Sequence, residues 1–176
     1  TGYGTDTNSF RARAREQQQE FCKNWQHNEM EQSKLVRIPR LDQEGHDFSM
    51  YVYSTEAQDI VSRSILTRKR WDEEKLQEMI QKYREYAQKH SIVSHQDLMF
   101  MDIGANVGWF TLAMAATLGV QVAAFEPMES NIQLLRQSLC LPENQEFAHL
   151  VTLFPVGLGT TRQECRVVSG TNNVGD

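Results

Sequence analysis

Apolar positions are sparse up to about residue 33 and then fall into regular patterns. The stretch "RARAREQQQEFCKNWQHNEMEQ" offers little apolar surface to dock, so residues 1–33 read as a polar, poorly ordered N-terminal segment. From Lys34, "KLVRIPRL" and "DFSMYVYS" have strand character. The second alternates Phe48, Met50 and Val52 against Tyr51 and Tyr53. Helical spacing takes over from Asp72 to Lys89, where Leu76, Met79, Ile80, Tyr83 and Ala87 form one stripe. Asp72, Glu73 and Glu74 at its start and Lys89 and His90 at its end carry the signs that the helix dipole favours. Residues 34–97 thus form a lead-in of strands and a helix.

A different regime begins at Leu98. "LMFMDI" is a continuous apolar run, the signature of a parallel strand covered on both faces. "VGWFTLAMAATL" follows as a helix with Gly119 placed to cap it, then "VQVAAFE" as a second buried strand. "ESNIQLLRQSLC" is a second helix stopped by Pro142, and "HLVTLFPVGL" is a third strand. Strand, helix, strand, helix, strand predicts a right-handed βαβαβ unit within residues 98–176. Ligands of such sheets bind at the carboxyl ends of the strands, where Asp102, Glu126 and 155–158 fall.

Composition narrows the function. With 176 residues the chain suits one domain, and 40% hydrophobic residues fit a globular protein. A net charge of −5 supplies no basic field for nucleic acid, and Arg11/Arg13/Arg15 and Arg68-Lys69-Arg70 read as solvated surface. No apolar run approaches the ~20 residues of a membrane span. Cys22, Cys140 and Cys165 are odd in number, far apart and never in a C-x-x-C pair, which predicts reduced thiols and a cytoplasmic location. The first residue, Thr1, leaves room for an upstream segment. The histidines lack ligand spacing, so no metal site is expected.

The chemistry concentrates in "FMDIGANVGWF", residues 100–110. A dinucleotide fingerprint counted from Gly104 needs glycines where Asn106 and Trp109 stand, and a P-loop needs a Gly-Lys-Ser/Thr that is missing. The shorter G-x-G-x-G spacing is met by Gly104 and Gly108 with Asn106 between them, and Asn tolerates positive φ. Such a turn suits S-adenosyl-L-methionine. Its carboxylate can lie near N–H groups at the start of the following helix, and its ammonium near Asp102. Glu126, 24 positions after Asp102, is placed to accept from both ribose hydroxyls. Each residue also has a plainer reading: Asp102 as a helix cap, Glu126 as a surface acid, Trp109 and Phe110 as core, Asn131 as a helix starter.

"FMDIGANVGWFTLAMAA", then "VAAFEPMESNIQLL" and "VTLFPVGLG", resemble the FkbM-type family of S-adenosylmethionine-dependent methyltransferases over roughly residues 46–176. The resemblance implies an α/β fold with a Rossmann-like class I methyltransferase sheet and flanking helices. It puts the cofactor on Asp102, Gly104, Ala105, Asn106, Gly108, Glu126, Pro127 and Asn131. It also implies O-methylation of a hydroxyl on a small molecule or glycan. Members of that family continue with a strand carrying a Lys-Ile-Asp-x-Glu-Gly type of motif, to which nothing in "CRVVSGTNNVGD" corresponds, so the sheet reads as truncated before its last strands. A hydroxyl acceptor also needs its proton removed. Asp59, His46, Tyr51 and Tyr53 are the lead-in candidates, and none is nominated as the base. Two other readings stay open: a nucleotide- or NAD-binding Rossmann enzyme, and a non-catalytic interaction domain that kept the fold.

Overall fold

The computed structural model describes residues 7–25, 32–161, 163 and 164; Cys165 and the tail that follows it lie outside the described residues. The N-terminal segment departs from expectation, because Thr7–Asn24 form a helix, α1, that is docked rather than loose. Small Ala14 lets the helix approach the sheet and is buried with Ala123 and Phe154, while Arg15 Nε donates to Thr152 Oγ1 at 3.2 Å. The Arg136 guanidinium lies 5.6 Å from the centre of the Phe21 ring. The reduced-thiol expectation is also corrected, since Cys22 and Cys140 form a disulfide with Cα atoms 5.2 Å apart. A separation of 118 residues hides such a pairing from spacing rules, and the cytoplasmic placement loses the support that free thiols gave it.

Strands β1 (Ser33–Ile38) and β2 (Phe48–Tyr53) pair antiparallel, with Ser33 opposite Tyr53 and Ile38 opposite Phe48. The alternation expected in β2 is absent, because all six residues are buried. Phe48 packs against Trp109 and Phe147 on one side of the strand, and Tyr51 meets Trp25 edge-on on the other. The N–H groups of Ser49, Tyr51 and Tyr53 point away from β1, where an edge strand would leave them orphaned. Each finds a side chain instead: Asn144 Oδ1 at 3.0 Å, Ser138 Oγ at 2.8 Å and Ser62 Oγ at 3.1 Å. Ser62 sits in α2 (Ile60–Arg68), whose N-cap Asp59 accepts from the Ser62 N–H at 2.6 Å. The helix expected from Asp72 is α3 (Glu73–Lys89), with Asp72 as its N-cap and Leu76, Ile80 and Ala87 buried.

The second half contains β3 (Met99–Ile103), α4 (Trp109–Leu118), β4 (Gln121–Phe125), α5 (Glu129–Cys140), α6 (Gln145–Ala148) and β5 (Val151–Phe154). The three strands are parallel in the order β3-β4-β5. Every residue of α4 except Phe110 is buried, and Gly119, with φ 64°, caps it by donating its N–H to Ala115 O at 3.0 Å. One expectation fails here. β3 is not covered on both faces: Met99, Met101 and Ile103 are 37%, 53% and 63% exposed. β3 is an edge of the described sheet, and α1 rests on β4 and β5, with Arg11 meeting the Met99 sulfur of β3. The architecture is therefore mixed α/β, a three-stranded parallel sheet with flanking helices plus a separate antiparallel hairpin. Among the described residues no helix is long and apolar enough to cross a membrane.

Candidate functional site at the strand ends

The turn between β3 and α4 is left-handed at three alternate residues: Gly104 (φ 78°), Asn106 (φ 50°) and Gly108 (φ 90°). Asn106 thus does what its residue type permits, holding a conformation that most side chains avoid. The glycines are required for different reasons. A Cβ on Gly104 would meet open space, so only its φ matters, whereas one on Gly108 would run into Leu135 Cδ1.

Protein acceptors take every N–H of this turn. Gly104 and Ala105 donate to Phe125 O at 2.9 and 3.0 Å, tying the end of β3 to the end of β4. Asn106 donates to Glu126 Oε2 at 2.7 Å, Val107 to Asn106 Oδ1 at 2.6 Å, and Gly108 to Ala105 O at 2.8 Å.

The two acids lie on either side of the turn, both buried, with Asp102 6% and Glu126 5% exposed. Asp102 Oδ2 accepts from Thr111 Oγ1 at 2.6 Å, so it braces the first turn of α4. Burial pushes its carboxyl above the usual carboxylate range. The Thr111 hydroxyl and backbone N–H oppose that shift, and the Glu126 carboxylate adds to it. Asp102 thus braces α4 through Thr111, although the N-cap of that helix is Gly108.

Glu126 is no surface acid. Oε1 accepts from the Met128 N–H at 2.9 Å and from Asn131 Nδ2 at 3.3 Å, and Oε2 from Asn106. A carboxylate has about four acceptor positions. These three donors leave one, on Oε2, so both ribose hydroxyls fit directly only if the Asn106 N–H lets go.

Asn131 is buried in the first turn of α5, but the N-cap of that helix is Met128. Its Oδ1 accepts from the Tyr53 hydroxyl at 2.9 Å, joining the lead-in hairpin to Glu126. Ala105 is buried, while Pro127 is exposed beside Gly157 in the loop after β5. Trp109, 2% exposed and packed on Phe48, belongs to the core.

Of the lead-in candidates, Asp59 caps α2, and His46 Nδ1 pairs with Glu146 at 2.7 Å while its N–H reaches Ala116 O near the far end of α4. Tyr53 alone connects to the turn. Thr111 was missed in the sequence, although a threonine one helical turn into the helix after an acid-ended strand was the available signal.

A groove of about 740 Å³ runs between α1 and α5, walled by Phe21, Trp25, Gln133 and Arg136. It touches the strand ends only through Pro155 and is open to solvent along α1, so the turn and its acids are the better candidate. Among the described residues no group of three or more His, Cys, Asp or Glu is placed to hold a metal ion. No family model, curated protein or solved structure matches the chain.

Proposed function

We propose that the chain binds S-adenosyl-L-methionine at the carboxyl ends of β3, β4 and β5, on a Rossmann-like class I sheet. Its reaction is methyl transfer to a hydroxyl oxygen of a small molecule or glycan. The observation that carries this reading is the turn itself: left-handed at 104, 106 and 108, pinned by Phe125 O, and with Glu126 bonded to its middle. The donor set fits the ligand in kind. One acceptor position on Glu126 Oε2 faces the turn for a ribose hydroxyl, and the buried acid Asp102 stands on the other side for the ammonium. Exposed Gly104 and Pro127 and the apolar Val156 and Leu158 rim the same end, with Pro127 against Gly157.

The bound sulfonium supplies an electrophilic methyl group. The residues of this chain orient the nucleoside and amino-acid ends, so that an acceptor oxygen can stand in line with that methyl. Such positioning contributes up to roughly 7–11 kcal/mol.

Replacing Glu126 with Ala is expected to weaken binding of S-adenosylhomocysteine by roughly 1–3 kcal/mol, read by calorimetric titration. An unchanged dissociation constant removes Glu126 from the site. Binding of NAD without S-adenosylhomocysteine would replace this reading with the nicotinamide one.

One observation favours a second reading, a non-catalytic interaction domain: the turn N–H groups from Gly104 to Gly108 already have protein acceptors. The next donors along the chain for a ligand carboxylate are the N–H groups of Trp109 and Phe110. Labelled methyl donor offered with a panel of hydroxylated acceptors separates the two, since no transfer by protein that binds cofactor supports the interaction domain. The Cys22–Cys140 disulfide favours an oxidising compartment over the cytoplasm. A linked Cys22–Cys140 peptide in protein taken from cells under non-reducing conditions is the expected finding; both thiols free would return the chain to a reducing compartment.

A further inference from the structure

We propose that Tyr53 is a positioning residue for the candidate cofactor site, acting through Asn131 on Glu126. The argument starts from the Asn131 side chain, a buried amide with one acceptor and one donor end. The Tyr53 hydroxyl donates to Oδ1 at 2.9 Å, which leaves Nδ2 turned toward Glu126 Oε1 at 3.3 Å. Rotating the amide by half a turn would face its NH2 toward the phenol and its carbonyl oxygen toward the carboxylate, two oxygens in repulsion. The carboxylate therefore sets which end of the amide faces it. The phenol, by donating to the opposite Oδ1, holds the amide in the position that supports Glu126, which in turn holds the Asn106 N–H at 2.7 Å in the middle of the turn.

Tyr53 is itself fixed. It is 4% exposed, its N–H donates to Ser62 Oγ, and the Ser62 N–H is held by Asp59. The hydroxyl also stays a donor. Burial pushes the phenol above its ordinary value, the hydrogen bond with Ser130 opposes this, and the Asp59 and Glu126 carboxylates add to it. A phenol that keeps its proton is suited to orienting an amide and unsuited to removing a proton from an acceptor. The lead-in hairpin thus enters the site through one buried hydroxyl, and this inference rests on the ligand reading above only for what the turn binds.

The test uses Tyr53→Phe, which keeps the ring and deletes the hydroxyl, in the full chain. Two readouts separate this inference from the ligand reading. By NMR without ligand, the Asn131 side-chain amide protons are expected to shift and to exchange about tenfold faster in Y53F, with the Asn106 backbone N–H shifting too. Unchanged Asn131 resonances in a folded Y53F protein would overturn the proposal, whatever the chain binds. By titration, Y53F is expected to weaken S-adenosylhomocysteine about three- to tenfold in the otherwise unaltered chain, and to add no further loss to Glu126→Gln. An equal loss in both backgrounds would mean that Tyr53 acts on general packing, and would overturn it as well. No S-adenosylhomocysteine binding by the unaltered chain would sink the methyl-donor reading and leave the NMR result to decide the role of Tyr53.

Discussion

The face of the parallel sheet that carries Phe100, Asp102, Ala124 and Leu153 lies under α4, a helix whose side chains are all buried but one. The hairpin closes on α5 through Ser138 and on the turn after it through Asn144, so that half is held by packing and by buried hydrogen bonds. The opposite face is built differently. It meets α1, a polar helix that touches β4 and β5 through Ala14 and Arg15 and is fastened to α5 by one disulfide, while Met99, Met101 and Ile103 stay exposed. A helix with a broad apolar face docks by itself, whereas one whose contacts are few and mostly polar gains much from a covalent tie. The candidate site grows from the packed face, since Asp102, Thr111, Asn131 and Leu135 all belong to it.

The sharpest way to break the packed face is Gly108→Ala. The substitution asks for φ 90° from a residue with a Cβ and drives that atom into Leu135. Left-handed strain and overpacking together are expected to cost roughly 2–5 kcal/mol by chemical denaturation. Gly104→Ala is its control, since the same atom there meets nothing within 4 Å and only the φ penalty of roughly 1–2 kcal/mol applies. Equal losses at both sites would show that Leu135 moves aside.

The tethered face is tested by Cys22→Ser with Cys140→Ser. Opening a link between residues 118 apart is expected to cost roughly 2–4 kcal/mol and to release α1 selectively, seen as faster amide exchange in Thr7–Asn24 with β3, β4 and β5 still protected. If α1 kept its protection, Ala14, Phe21 and Arg15 would be holding it without the disulfide.

The difference between the faces also explains what the sequence could tell. Elements whose stability is local in origin were legible: α3 from its stripe and first-turn acids, α4 with its Gly119 cap, and the turn at 104, 106 and 108 from Asn tolerating positive φ. Features set by distant parts of the chain were not. The docking of α1 depends on Cys140, the loss of alternation in β2 on Trp25 and Asn131 meeting its tyrosine face, and the exposure of β3 on its place at the sheet edge. In the site the same division holds. The two acids and the turn could be read from spacing, but that Glu126 already holds three donors depends on how the chain folds back around it, and that Tyr53 orients one of them depends on a contact 78 residues apart.

The smallest expected effect probes Asp102 itself, the acid that the packed face buries. Because burial raises its folded carboxyl above the ordinary value of 3.8, the folded state holds a proton there that the unfolded chain has already released. Stability from this group is therefore fully present below the ordinary value and lost as pH rises through the raised one. Asp102→Asn keeps an oxygen for the Thr111 hydroxyl and removes the ionisation, so the stability of the variant relative to the unaltered protein should increase between pH 4 and pH 7. The change is read by denaturant unfolding at each pH. S-adenosylhomocysteine should bind the variant more weakly above the raised value, where Asp102 is ionised, because a neutral amide attracts an ammonium less than a carboxylate does. A stability difference independent of pH would mean that the Asp102 carboxylate is as comfortable folded as unfolded, and the packed face would then carry no buried charge held in place for a ligand.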